Sequence, residues 1–259
     1  MKTRIISGLV MLPLAAVLYL RGIWLAVVVA IVAFMAAYEF IRAFEKIGYK
    51  GYPEVVGILI PAVLFAPLDS RVTMFLMFLT VLTLLLRLFR VNKAKLEDSM
   101  VTLLAAFYIV FFAYHVVLVD VSFKEPFLWL IPLAAFGTDI FAYFVGVTMG
   151  KHKLCPNISP KKSIEGAAGG ILGSGLLCGL FGYFFIKEYF MYCIIIGVVV
   201  SPFSQLGDLT ASIFKRKIGI KDYGNLIPGH GGILDRFDSI LFAAPAVYYI
   251  LSIMQDRSL

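Results

Sequence analysis

Charge is what this chain has least of. Only 15% of its 259 residues are Asp, Glu, Lys or Arg, against about a quarter in an ordinary soluble domain. No hydrophilic stretch is long enough to fold as a soluble domain of its own. Cysteine is scarce as well. Cys155, Cys178 and Cys193 form no CxxC pair and no even-numbered framework, so a disulfide scaffold is excluded and three thiols are expected. Internal repeats, low-complexity tracts and a GxxxxGK[ST] phosphate loop are all missing. No serine or cysteine stands in a triad-like arrangement, so an enzyme nucleophile is not expected.

What is there is apolar. The hydrophobic share is 61% and the mean hydropathy is +0.93, which reads as an all-α, polytopic membrane protein whose first partner is the lipid bilayer. The net charge of +7 could suggest nucleic acid. The basic residues instead cluster in short loops between apolar runs, so no nucleic-acid partner is expected. Nine runs approach the length of about 20 residues that a bilayer crossing needs. They lie near 5–20, 23–44, 54–68, 72–90, 100–119, 127–149, 167–187, 190–214 and 237–254. The opening MKTRIISGLVMLPLAAVLYLRG resembles a signal peptide but has no clear small-x-small cleavage site, so it is read as a retained first helix.

Cation placement tests that count. With the N-terminus inside, 18 Lys and Arg residues fall on the cytoplasmic side and 5 (Arg21, Arg71, Lys124, Lys187 and Arg257) on the other. The asymmetry predicts nine helices, N-in and C-out. Residues 1–99 form an N-terminal region of about four spans, and 100–259 a C-terminal region with two long cytoplasmic loops, 150–166 and 215–236. Long ordered loops in a compact protein are more often functional than not.

Acids inside apolar runs narrow the search, because each costs about 2.5–3.5 kcal/mol to insert and so faces a bundle interior or water. Ser204, Asp208, Ser212 and Lys215 share one face of the eighth run, beside Gly207 and Ala211. This stripe suits a hydrated cavity, with interhelical hydrogen bonding as the alternative. Asp235 and Asp238 stand three apart and point to the same side. Their repulsion calls for a cation between them, either Arg236 as a structural partner or a divalent ion; Mg²⁺ accepts such hard oxygen ligands. Asp139 shares a face with Tyr143, Gly146 and Gly150, where it contacts substrate, orients lysines or serves structure. Glu39 is expected to pair locally with Arg42, and His115 to be a satisfied core histidine.

The loops carry the remaining signal. SPKKSIEG, residues 159–166, sets Ser159, Lys161, Lys162 and Ser163 just before a Gly-rich helix start, where backbone N–H groups and the helix dipole favour anions. Ser159 or Ser163 could equally cap that helix, with Glu165 in its first turn. PGHGG, residues 228–232, lets the backbone approach a ligand closely or turn sharply. A tight turn alone would not explain His230 or the flanking charged pairs.

The stretch SIFKRKIGIKDYGNLIPGHGGILDRFD, Ser212 to Asp238, resembles the C-terminal signature of the phosphatidate cytidylyltransferases, or CDP-diacylglycerol synthases, at all 27 positions. SPKKSIEG is similar to that family's SPKKTxEG, with Ser163 where Thr is usual. The resemblance implies that CTP and phosphatidate give CDP-diacylglycerol and pyrophosphate, with residues 100–259 as the catalytic region. It implies Mg²⁺, with a second cation as an option, held by Asp208, Asp235 and Asp238. It also implies a homodimer. The setting expected is the cytoplasmic (inner) membrane, multi-pass, with the active site facing the cytoplasm.

Phosphatidate brings its own nucleophile, a phosphate monoester largely dianionic at neutral pH. The reaction needs charge neutralisation rather than covalent catalysis. Asp208, Asp235, Asp238, Lys221, Arg236 and His230 are therefore expected to be catalytic, with His230 orienting a phosphate or stabilising pyrophosphate. Ser159, Lys161, Lys162, Ser212, Lys215, Arg216, Gly231 and Gly232 are expected to bind phosphates. Two rivals fare worse. The spaced DG…AR…G…D…D pattern of a CDP-alcohol phosphotransferase is missing, and a transporter would place broken helices in both halves.

Overall fold

The computed structural model describes residues 18–19, 21–61, 70–89, 95–123, 125–225 and 231–256. Among them seven helices are long and apolar enough to cross a membrane: Gly22–Glu45, Arg71–Leu88, Leu96–Ser122, Pro126–Met149, Ile164–Phe185, Lys187–Ile218 and Leu234–Met254. Each matches one of the nine runs expected from hydropathy. The run at 5–20 lies almost wholly outside the described residues, and so does the second half of the run at 54–68. The chain is a multi-pass membrane protein built from helices. It divides into two units, Met1–Val121 with Lys217–Phe237, and Ser122–Arg216 with Asp238–Leu259.

The first unit contains α1 (Gly22–Glu45), the one-turn α2 (Pro53–Val56), α3 (Ser70–Leu88), α4 (Leu96–Ala105) and α5 (Phe112–Ser122). A wider π turn, Ala106–Phe111, joins α4 to α5 without interrupting the span. The buried face of α1 is lined by Ala26, Ala30, Ala33 and Ala37 and ends on Phe40 and Ile41. Small residues at that spacing admit close helix neighbours in a bilayer. His115 is buried, and its Nδ1 lies 2.8 Å from the Phe111 carbonyl, as a satisfied core histidine should.

Turn amides in this unit are held by side chains, because a membrane offers them little water. The Lys50 N–H donates to Asp98 Oδ1 at 2.6 Å, and the Tyr52 N–H to Thr102 Oγ1 at 2.8 Å. At the opposite end of α1, Arg21 Nε pairs with Asp120 at 2.6 Å.

The second unit contains α6 (Leu130–Met149), a hairpin of β1 (Lys153–Cys155) and β2 (Ser159–Ser163), α7 (Ile164–Phe185), α8 (Phe190–Ile218) and most of α9 (Leu234–Asp256). Glycines on α7 bring it against α6. A Cβ at Gly173 would overlap the Phe141 ring, and one at Gly170 would stand 2.9 Å from the Thr138 carbonyl. Three buried or half-buried polar groups then join the helices. Thr138 donates to Ser201 at 2.7 Å, Ser174 to the Ala134 carbonyl at 3.1 Å, and Gln205 to the Ala167 carbonyl at 3.1 Å. All three cysteines are free thiols, as expected.

The segment 150–166 differs from the loop expected. Its middle is an antiparallel hairpin that pairs Lys153 with Ser163 and Cys155 with Ser159, and α7 already begins at Ile164. The Pro156–Asn157 pair turns the chain, and the Ile158 N–H closes the turn on the Cys155 carbonyl at 3.1 Å. The second long connection is also shorter than 215–236, since α8 runs to Ile218 and α9 starts at Leu234.

Candidate active site

The 29 residues of α8 make a helix about 43 Å long at 1.5 Å per residue. The hydrocarbon core is only about 30 Å thick, so a span beginning near Phe190 reaches the polar boundary close to Asp208. Lys215, Arg216 and Lys217 then lie beyond it. Asp208 is thus a boundary residue, and ionised groups are affordable there.

Three carboxylates of the second unit influence one another electrostatically at this level. Asp238 on α9 lies within electrostatic reach of Asp208 and Lys215 on α8 and of Asp139 on α6. Ser239 donates to Asp139 Oδ2 at 3.5 Å, and its N–H donates to Asp238 Oδ1 at 2.7 Å. Close approach of α8 and α9 depends on Gly207, where any Cβ would strike the Asp238 carbonyl oxygen. On the stripe expected along α8, Ser212 donates to Asp208 Oδ1 at 3.5 Å, one turn away. Ser204, one turn the other way, is buried, and its hydroxyl has no hydrogen-bond partner.

The hairpin brings cations to these acids. Lys162 on β2 forms an ion pair with Asp208 at 2.5 Å, both side chains being about a quarter to a third exposed. The hairpin is itself held at both ends. Ser163 caps α7 by accepting the Gly166 N–H at 3.1 Å, so of the two serines weighed as a cap it is Ser163 that serves. Glu165 accepts the backbone N–H groups of Lys151 and His152 and lies 2.6 Å from His152 Nδ1. Arg216 Nε donates to the Ile158 carbonyl at 3.3 Å, tying the end of α8 to the hairpin turn.

A cavity of about 490 Å³ lies between these elements, within the size range of small-molecule sites. Its lining includes the polar residues Lys161, Lys162, Ser163, Gln205, Asp139 and Asp208 and the apolar residues Ala142, Tyr143, Val147 and Leu154. On α6, Tyr143 and Val147 are about two-thirds exposed. The cavity therefore offers contacts both to an anionic head and to hydrocarbon.

In the first unit, the connection between α8 and α9 folds around two carboxylates. Asp235 Oδ2 accepts the N–H groups of Tyr223 at 2.8 Å and Gly232 at 3.0 Å. Gly231 takes φ of +84°, the left-handed region that glycine tolerates best, with Asp222 and Asp235 close beside it. Glu39, expected to pair with Arg42, instead accepts the N–H groups of Ile233 at 3.1 Å and Leu234 at 3.0 Å. The Arg42 guanidinium lies 3.9 Å from Glu45.

Of the residues expected from sequence, Lys161, Lys162, Ser212, Lys215, Asp208 and Asp238 gather in the second unit, with Ser159 and Arg216 on or beside the hairpin. Asp235, Gly231 and Gly232 shape the connection, while Lys221 and Arg236 are exposed. His230 lies outside the described residues. Gln205, Ser239 and Glu39 were not foreseen. The first two have only their neighbours Asp208 and Asp238 as a signal. For Glu39 the sequence holds none, because its partners lie 194 and 195 residues away.

A family model described as the cytidylyltransferase family matches residues 2–254. The phosphatidate cytidylyltransferase of Bacillus subtilis (strain 168) is 32% identical over 269 residues, covering 98% of this chain and 98% of that protein. The Rickettsia bellii protein of the same name is 47% identical over 132 residues, covering 47% of this chain and 57% of its own. That of Staphylococcus aureus (strain COL) is 50% identical over 116 residues, covering 44% of each.

Proposed function

The chain belongs to the cytidylyltransferase family, and from that membership and the geometry of the second unit we propose that it joins CTP to phosphatidate. The products are CDP-diacylglycerol and pyrophosphate. The observation that carries this reading is the cavity whose lining combines the Lys162–Asp208 pair with the exposed apolar side chains of Tyr143 and Val147. A water-soluble triphosphate and a lipid phosphate can both reach such a place. The site faces the cytoplasm in the inner membrane, in accord with the cation asymmetry. The enzyme works as a homodimer.

In this reading the phosphate monoester oxygen of phosphatidate attacks the α-phosphorus of CTP in line. One P–O bond forms, and the bond to the β-phosphate bridging oxygen breaks. No proton need leave a side chain, because the attacking oxygen is already ionised. Lys161 and Lys162 bring the two anions together, and Lys215 and Arg216 neutralise the departing pyrophosphate together with Lys221, Arg236 and His230. Ser159, Ser212, Gly231 and Gly232 supply hydroxyl and backbone donors to phosphate oxygens.

Mg²⁺ fits the donors present. It commonly takes one or two carboxylates and completes its shell with water and phosphate. Asp208 and Asp238 supply two carboxylates near one another, and the buried Ser204 hydroxyl beside them lacks a partner. Among the described residues no group of three or more His, Cys, Asp or Glu is placed to hold a metal, so Asp208 and Asp238 would need water and substrate phosphate to complete the shell. We keep Asp235 as the third assigned carboxylate. Its bonds to two backbone N–H groups are of the kind that orient a ligating carboxylate. When bound, the ion would offset the triphosphate charge.

The test is the fate of the label. Purified protein in nanodiscs with phosphatidate, Mg²⁺ and CTP labelled at the α-phosphorus should place the label in lipid, whereas γ-label should leave as pyrophosphate. Label from neither position in lipid, with folded protein, would end the proposal.

A further inference from the structure

We propose that Glu39 is a positioning residue for cytidylyl transfer. From α1 it fixes the first turn of α9, the helix that carries Asp235 and Asp238, together with the glycine connection that precedes it. The inference rests on the function proposed above for the reaction it serves, though not for the anchoring itself.

Helix α9 lacks a local cap. The first N–H groups of a helix need acceptors, usually a Ser, Thr, Asp or Asn side chain at the N-cap. Before Leu234 the chain reads Gly231, Gly232, Ile233, and none of these carries a side-chain acceptor. The acceptor comes instead from a helix 195 residues away: Glu39 Oε2 takes the Leu234 N–H at 3.0 Å, and Oε1 takes the Ile233 N–H at 3.1 Å. Using both oxygens fixes the plane of the carboxylate as well as its place. A negative charge at that end of α9 also meets the positive end of the helix dipole.

The surrounding residues are built for this contact. A Cβ at Gly232 would run into the Glu39 carboxylate, and one at Gly224 would stand 2.6 Å from Oε1. The next residue on α1, Phe40, packs its ring 6.0 Å from that of Tyr223. The Tyr223 N–H is in turn held by Asp235. One carboxylate from α1 and one from α9 thus secure the two ends of the connection. A merely local ion pair would need none of these glycines. Asp235 sits in that first turn, so any shift of the turn carries its carboxylate along.

The experiment uses the full chain, purified in nanodiscs, as Glu39→Gln and Glu39→Asp, with Glu45→Gln near the end of α1 as the control. Gln keeps the size but turns one acceptor into a donor facing an N–H. Hydrogen exchange of the peptide containing Ile233 and Leu234 should speed up about tenfold in Glu39→Gln, the scale for losing a hydrogen bond to a charged group. Exchange elsewhere in α9 should stay the same. Per folded molecule, kcat should fall about tenfold or more while both KM values stay within about threefold, since a small misplacement near the reacting atoms acts on the transition state. Glu39→Asp should lie between.

Gly224→Ala, which crowds the carboxylate from the other side, should reproduce both effects and replaces Glu39→Gln if that variant does not fold. Unchanged exchange at 233–234, or kcat within about twofold of the unaltered protein with exchange accelerated, would overturn the inference. If the unaltered protein makes no CDP-lipid, the functional reading fails. The exchange arm, which uses no substrate, still decides the anchoring.

Discussion

Lys162 is the residue on which the site's charge balance turns. It pairs directly with Asp208, at 2.5 Å, and is only partly exposed. In the proposed reaction the lysine leaves this partner for a substrate phosphate. Lys162→Ala should therefore raise the KM for CTP or phosphatidate by about tenfold, the usual value of a charge-assisted hydrogen bond at a partly screened site. Lys162→Arg should recover part of it. Steady-state kinetics at varied CTP and varied phosphatidate would check this, and unchanged KM values for both substrates would remove Lys162 from phosphate binding. The residue types were legible from sequence, because acids and lysines are conspicuous in a chain this apolar. Their pairing was not. Nothing in the spacing of Lys162 and Asp208 says that a hairpin will bring them together.

At the level of elements, two features set the geometry. The first is the close crossing of α8 and α9 at Gly207. Gly207→Val would place a branched side chain against the Asp238 carbonyl and force the helices apart. Such overpacking typically costs about 1–3 kcal/mol, and here it would also separate Asp208 from Asp238. Activity should fall far more than thermal stability, which parallel rate and melting measurements would establish. The second is the hairpin, fastened by the Ser163 cap. Ser163→Ala should destabilise the protein by about 1 kcal/mol, whereas Ser163→Thr should not, as thermal unfolding in detergent would register. Hydropathy located the seven described spans well, since about 20 apolar residues in a row have few other uses. It missed the hairpin because two strands of three and five residues are too short to show a period. The Pro156–Asn157 turn was the available sign.

For the whole molecule, the decisive property is the uneven distribution of Lys and Arg along a chain with a net charge of +7. In the orientation proposed above, most of these cations lie on the cytoplasmic side and would draw anionic substrates there. The prediction is topological. On a background of Cys155→Ser, Cys178→Ala and Cys193→Ala, a cysteine at Lys153 should react with an impermeant maleimide only in inverted vesicles. One at Lys187 should react only in right-side-out vesicles. The reverse pattern would place the hairpin on the wrong side for cytoplasmic CTP. Glu39 belongs to this scale too. The N-terminal spans carry no motif, yet one of them supplies the cap of the helix that bears the signature acids. A sequence read run by run could not reveal that, because the bond joins residues that only folding brings together.

In the function proposed, Asp208 on α8 and Asp238 on α9 serve cytidylyl transfer. The most direct measurement of that role is the initial rate of CDP-diacylglycerol formation by Asp208→Asn in nanodiscs, across a range of Mg²⁺ concentrations. Asparagine preserves the shape but cannot hold a cation as a carboxylate does. The rate should fall by about a hundredfold or more, the scale for removing one preorganised charged group, with a shifted Mg²⁺ requirement. A folded variant with an unaltered rate and an unaltered Mg²⁺ dependence would contradict that role.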